Sequence, residues 1–227
     1  MNMSKRTGIL LVLLALPVFV YFFLKLFGNN YYKLPTFFPL DVIENETDGK
    51  LIQDTVFHVI PFFAFPSSNG DIVSSKTTEG KIYVADFFFT NCPGICKQMS
   101  SQLKRVQESV IDNPEVLILS HSVDPENDSI SVLKAYAEKH KAINGKWYFL
   151  TGKKSKIYDL AQKGYFISAL EDSASKEADR FIHSDKFVLV DKQKHIRGYY
   201  NGTDPKEVDR LILEIDVLLH EQENDGK

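Results

Sequence analysis

Cys92 and Cys96 are the only cysteines among 227 residues, and they stand four apart in Asp86-Phe-Phe-Phe-Thr-Asn-Cys92-Pro-Gly-Ile-Cys96-Lys-Gln-Met99. A bond between them would close so short a loop that it adds only about 2 kcal/mol on the loop-entropy scale. A core of ordinary size does not need that, and two cysteines do not make a disulfide-stapled domain. Chemistry explains the pair better than stability does. The apolar run before it reads as a strand, and Pro93 suits the first position of a helix. The spacing therefore predicts Cys92 at a helix N-terminus, where unpaired backbone N–H groups and the helix dipole favour a thiolate. Cys96 then shares a helix face with Cys92, at a rise of about 6 Å. That separation is long for a disulfide and lets two sulfurs converge on one metal ion. Cys-x-x-x-Cys thus leans toward metal binding, with dithiol exchange still open.

Thiolates are soft donors that suit Cu(I) or Zn(II), and a third ligand would narrow the choice. There are six histidines. His140 and His220 end helices and His195 lies in a hairpin turn, all solvated or dipole-complementing positions. His58 and His121 belong to strand regions as structural residues. His183 differs. It sits in Arg180-Phe-Ile-His-Ser-Asp185, immediately before the strand Lys186-Phe-Val-Leu-Val-Asp191. In the fold read below, the loop before this strand passes beside the helix that carries the cysteines.

The elements that must position these residues alternate strand and helix signals. Ile82–Phe89 and Val116–Ser122 are apolar nearly throughout, as buried central strands are. Helices are predicted near 93–110, 129–140 and 156–163. Trp147–Leu150 is short and strand-like. Phe187–Asp191 and Ile196–Tyr200 flank a Lys-Gln-Lys-His turn as an antiparallel hairpin. Pro205–His220 closes the chain as an amphipathic helix, with Val208, Leu211, Ile212, Ile215, Leu218 and Leu219 on one face. The order β-α-β-α-β-β-α is that of an α/β, thioredoxin-like fold. The domain is expected over residues 51–222, with a polar tail at 223–227.

Upstream, the run Ile9–Leu24 carries no charge, and the apolar zone over residues 9–27 reaches the length that spans a bilayer, about 20 residues. Lys5 and Arg6 precede it, so the positive-inside rule puts the N-terminus in the cytoplasm and the body outside, on a periplasmic-type side. Residues 1–28 are read as a cytoplasmic stub and membrane-anchor helix, and 29–50 as an irregular linker. The balance of 27 Lys plus Arg against 30 Asp plus Glu, net −3, argues against nucleic acid as a partner.

Taken together, Gly80-Lys-Ile-Tyr-Val-Ala-Asp-Phe-Phe-Phe-Thr90, Cys92-Pro-x-x-Cys96…Met99, Ser122-Val-Asp-Pro125…Asp128, Trp147-Tyr-Phe-Leu-Thr-Gly152 and His183-Ser184 resemble the Sco/SenC family of copper-binding, thioredoxin-like proteins. The resemblance runs from about Val59 to Tyr200. It implies a membrane-tethered copper chaperone, rather than an enzyme in the strict sense, that helps assemble the binuclear copper site of cytochrome c oxidase. The copper-bearing oxidase subunit would be its partner. Carried over by position, the ligands are Cys92, Cys96 and His183, holding Cu(I) and tolerating Cu(II). The resemblance also implies a thiol-disulfide role for the same cysteines, and the competing reading is a thiol-disulfide reductase that needs Cys92 and Cys96 alone. Two departures stand out. Lys97 follows the second cysteine where the family commonly has Pro, and its ammonium would lower the thiol pKa. Ile182 precedes the histidine where an Asp is common, so an acid beside the site is either lost or supplied by Asp185 or Asp124.

No small-x-small cleavage site follows the apolar run. The mature protein is therefore expected to keep its first residues. Mass spectrometry that found a mature N-terminus beyond residue 25 would make the segment a signal peptide instead.

Overall fold

Strands β5 (Ile82–Phe88) and β6 (Val116–Ser122) are buried at every position, because helices and loops cover both faces of the sheet they share. They belong to a computed structural model that describes residues 13–23, 33–47, 50–167 and 184–225. By its internal contacts the chain divides into residues 1–32 and residues 33–227.

In the first unit the described residues form one helix, α1, over residues 13–23, with its apolar side chains exposed all round. Among the described residues no helix is long and apolar enough to cross a membrane. The span expected over 9–27 is therefore not seen as such, and its ends lie outside the described residues.

The second unit is built on a five-stranded sheet in the order β7-β6-β5-β8-β9, where β7 is Trp147–Leu150, β8 is Lys186–Val190 and β9 is Ile196–Asn201. β5, β6 and β7 run parallel, and β8 and β9 are antiparallel additions. Helix α2 (Ile95–Ser109) crosses from β5 to β6, and α3 (Ile130–Lys139) from β6 to β7. The closing helix α5 (Pro205–Asp225) runs five residues past the predicted end at His220 and takes in most of the predicted tail. Alternation along β5 divides the core. Ile82, Val84 and Phe88 pack with Met99, Leu103 and Val106 of α2 and with Leu211 and Ile215 of α5. Tyr83, Ala85 and Phe87 pack with Phe63, Phe65, Ile157 and Tyr165 on the other face.

Two further readings are corrected. The stretch read as a linker holds β1 (Pro39–Thr47), which pairs antiparallel with β2 (Lys50–Phe57). The helix predicted near 156–163 starts earlier, as α4 (Lys154–Asp159), and passes into a π-helical turn, Leu160–Gly164. The short strands β3 (Ala64–Pro66) and β4 (Ile72–Ser74) form a hairpin that spans Ser68-Asn-Gly-Asp71.

Asp86 and His121 are buried in this core, one on each face of the sheet. Asp86 of β5 is beside Ser120 in the ladder, and Phe87 is beside His121. The Ser120 hydroxyl donates to Asp86 Oδ1 at 2.5 Å, and the Trp147 indole N–H donates to Ser120 Oγ at 2.8 Å. Burial pushes the Asp86 carboxyl up to about 7, against the pull of that hydroxyl. His121 is fully buried in a box of Phe63, Phe65, Phe87 and Tyr165, and its Nε2 has no hydrogen-bond partner. Burial holds its pKa down to about 4.

The two groups act on stability with opposite signs. Asp86 keeps its proton more tightly folded than unfolded, so its contribution is present at low pH and is lost as pH rises from about 4 to about 7. His121 resists protonation when folded, so stability is lost as pH falls from about 6.5 to about 4. Each effect is on the order of 4 kcal/mol, and they largely cancel in the shared window. Asp86→Asn should therefore make stability rise with pH between 4 and 6.5, and His121→Phe should make it fall between 4 and 7. Urea titrations of the reduced protein across pH check this, and parallel pH profiles in the two variants would refute it.

Candidate metal and thiol centre

The cysteines lie where β5 runs out. Backbone hydrogen bonds tie this edge down: Val123 N–H donates to the Phe88 carbonyl at 2.8 Å, and Cys92 N–H donates to that of Phe89 at 3.3 Å. The helix then begins later than predicted. Its N-cap is Gly94, at φ −140° and ψ −87°, and no side chain of that residue caps it. Cys92 is thus two residues ahead of the cap and Cys96 is in the first turn, so the pair does not share a helix face. The loop brings them together instead. Cys96 N–H donates to Cys92 Sγ at 3.5 Å, so the sulfur occupies the place a capping oxygen would take. Both thiols are free, with Cys92 4% and Cys96 3% exposed.

Burial opposes ionisation of Cys92. The Cys96 thiol and the N–H groups of Gly94, Cys96 and Ile95 outweigh it and hold the Cys92 pKa below the ordinary thiol value. Cys96 is the reverse case. Burial first, then its neighbour Cys92, push its pKa up to about 12, with a smaller contribution from the Asp86 carboxyl on the same face of the sheet. The asymmetry comes from burial, the backbone and the partner thiol rather than from Lys97, whose side chain is exposed.

His183 lies outside the described residues. The register of the strand it precedes is described: Ala85 pairs with Val188 and Tyr83 with Val190, antiparallel. Ser184, 1% exposed, therefore enters the sheet at the edge where β5 ends. The two acids expected beside the site have other partners. Asp124 accepts from the Asn127 side chain at 2.9 and 3.1 Å, and Asp185 is paired with Lys186 at 2.7 Å. Among the described residues no group of three His, Cys, Asp or Glu side chains is placed to hold a metal ion.

Two acids that sequence reasoning did not assign to the site bear on it, Asp86 through the Cys96 thiol and Asp128 through Thr90. Asp86 was signalled by being the one charge in an apolar strand. Asp128 closed the Ser122-Val-Asp-Pro125…Asp128 motif without a role of its own, and its carboxylate holds the residue two before Cys92, through Thr90 N–H at 3.1 Å and the Thr90 hydroxyl.

A profile of the SCO1/SenC family matches residues 53–218. The chain belongs to this family. A SCO1 protein homolog of Bacillus subtilis is 33% identical over 169 residues, spanning 74% of this chain and 86% of that protein. Among solved structures, a SCO1/SenC family lipoprotein from Bacillus anthracis superposes with a TM-score of 0.62 at 25% identity, covering 71% and 95% of the two chains. BsSco, a Sco family protein of cytochrome c oxidase assembly with a disulfide switch, superposes with a TM-score of 0.59 at 32% identity, covering 73% and 95%. Yeast Sco1 with copper bound shares the fold, with a TM-score of 0.53 at 22% identity over 70% and 89%. The thioredoxin-like arrangement expected for this SCO1/SenC chain is thus the family's own.

The thiol asymmetry has a direct readout. In the reduced protein at pH 7, iodoacetamide should modify Cys92 at least about tenfold faster than Cys96, because only the thiolate reacts. The Cys92 rate should climb with pH through a midpoint below that of a free thiol. Peptide mapping by mass spectrometry measures both, and equal rates would refute the assignment.

Proposed function

We propose that this SCO1/SenC protein carries copper to the binuclear copper site of cytochrome c oxidase and holds it through Cys92, Cys96 and His183. The observation that carries the reading is a pair of reduced sulfurs in mutual contact at the mouth of α2, one of them already favoured as thiolate. Two such sulfurs are a donor set for a soft ion, and Cu(I) is the soft ion of this series. Binding would release the proton that Cys96 holds so tightly. The described residues offer no third ligand, so one would come from outside them, and the entry of Ser184 at the edge where β5 ends favours its neighbour His183. Copper is present in the solved structure of yeast Sco1, a protein of this fold. The donor and the reductant that would serve the site are not identified by its chemistry.

The membrane tether belongs to the same proposal. Lys5 and Arg6 ahead of the apolar run support an anchor with the domain on the extracytoplasmic side. The relative from Bacillus anthracis is itself a lipoprotein.

A second reading rests on the thiol asymmetry. A Cys92 thiol held below its ordinary pKa and a buried Cys96 pushed up to about 12 suit attack on a substrate disulfide by the first and resolution of the mixed disulfide by the second. BsSco has a disulfide switch within a family of oxidase assembly proteins, which fits that use.

Copper titration separates the two. The reduced domain from about residue 33 should bind one Cu(I) per chain, and Cys92→Ser should abolish it. His183→Ala should weaken Cu(II) far more than Cu(I) and remove the charge-transfer bands of the Cu(II) complex. If His183→Ala restored oxidase activity to a deletion strain at low copper while Cys92→Ser did not, the protein would be a reductase.

A further inference from the structure

Asp128 is fully buried, just ahead of α3, and its carboxylate takes donors from two other elements. Thr90 N–H reaches Oδ2 at 3.1 Å and Oδ1 at 3.4 Å, and the Thr90 hydroxyl also donates to Oδ1. The Ser122 hydroxyl, at the end of β6, donates to Oδ2 at 2.5 Å. Its own N–H donates to the Asp124 carbonyl at 2.9 Å. One side chain thus joins the end of β5, the end of β6 and the start of α3. A carboxylate can do this because it offers about four acceptor sites and no donor. An amide of the same shape cannot, since its NH₂ would face donors.

We propose that Asp128 is a positioning residue for the cysteine pair. Thr90 begins the loop that carries Cys92, and Asp128 engages both of its donors. The path from there to α2 is short, so this tie decides whether the Cys92 sulfur sits over the N–H groups of Gly94, Ile95 and Cys96 and within reach of Cys96. Asp128 does this through geometry, from the far side of the loop, and touches neither sulfur. The inference rests on the reading that the two cysteines work as a pair, whether on copper or as a dithiol.

The test uses two readouts of that pairing. The first is metal-free equilibrium with glutathione: protein dithiol and glutathione disulfide give protein disulfide and two glutathione thiols, which keep the two protons. The second is Cu(I) affinity by competition with bicinchoninate. Asp128→Asn and Thr90→Val should each lower both constants about tenfold, the size of a lost charge-assisted hydrogen bond. Thr90→Ser, which keeps both donors, should recover most of the loss. Lys146→Met is the control for stability alone. Lys146 pins the carbonyls of Val110, Asn113 and Val116 at the opposite end of the sheet, and its loss should lower the melting temperature without moving either constant. Unchanged constants in Asp128→Asn and Thr90→Val would overturn the proposal, as would an equal fall in Lys146→Met. If the wild-type chain bound no Cu(I), the copper reading would fall, and the glutathione arm would still decide the role of Asp128.

Discussion

The sulfur of Cys92 stands where a helix cap should be. The first turn of a helix leaves backbone N–H groups without intrahelical partners, and Gly94 has no side chain to offer them. The sulfur meets that need, and the same N–H groups stabilise its negative charge. Helix start and thiolate therefore depend on one interaction.

The surroundings keep that interaction dry. β5 is buried on both faces, Cys96 lies within the apolar layer of Phe88 and Met99, and water reaches neither thiol freely. Burial raises the cost of charge wherever nothing compensates it. Cys92 is compensated by three backbone N–H groups and the Cys96 thiol, whereas Cys96 has one backbone contact, at Phe89, against deeper burial and the neighbouring Cys92, so two cysteines four residues apart differ widely. The same rule explains Asp86 and His121. Burial pushes each toward its neutral form, the acid against the pull of the Ser120 hydroxyl and the imidazole in an aromatic box.

The site gathers at the carboxyl ends of the parallel strands, where loops from separate segments meet. β5 delivers the cysteines, and β6 and the start of α3 deliver Ser122 and Asp128. The antiparallel β8 starts at this edge because its register with β5 requires it. Thr90 and Asp128, 38 residues apart in the chain, are thereby held within hydrogen-bond distance, as are Asp86 and Ser120, 34 apart.

Much of this was legible in the sequence. Apolar runs without polar interruption mark strands buried on both faces, and β5, β6, β7 and the β8–β9 hairpin lie close to where those runs put them. The ordered motifs identified the family. Local pattern could not reveal which N–H groups the Cys92 sulfur receives. Pro93 looked like a helix start, but the chain needed two more residues to turn from β5 into α2, and that turn moved Cys92 off the helix. Nor could it reveal the role of Asp128, whose partners are set by tertiary contact. The β1–β2 hairpin was missed because residues 29–50 mix Asn, Pro, Gly and acids without the alternation that marks a strand. Sequence determined which groups could ionise or bind, since that is a property of side-chain type. Tertiary structure alone decided which of them do, because burial and donor geometry set the pKa values, and both depend on residues far away in the chain.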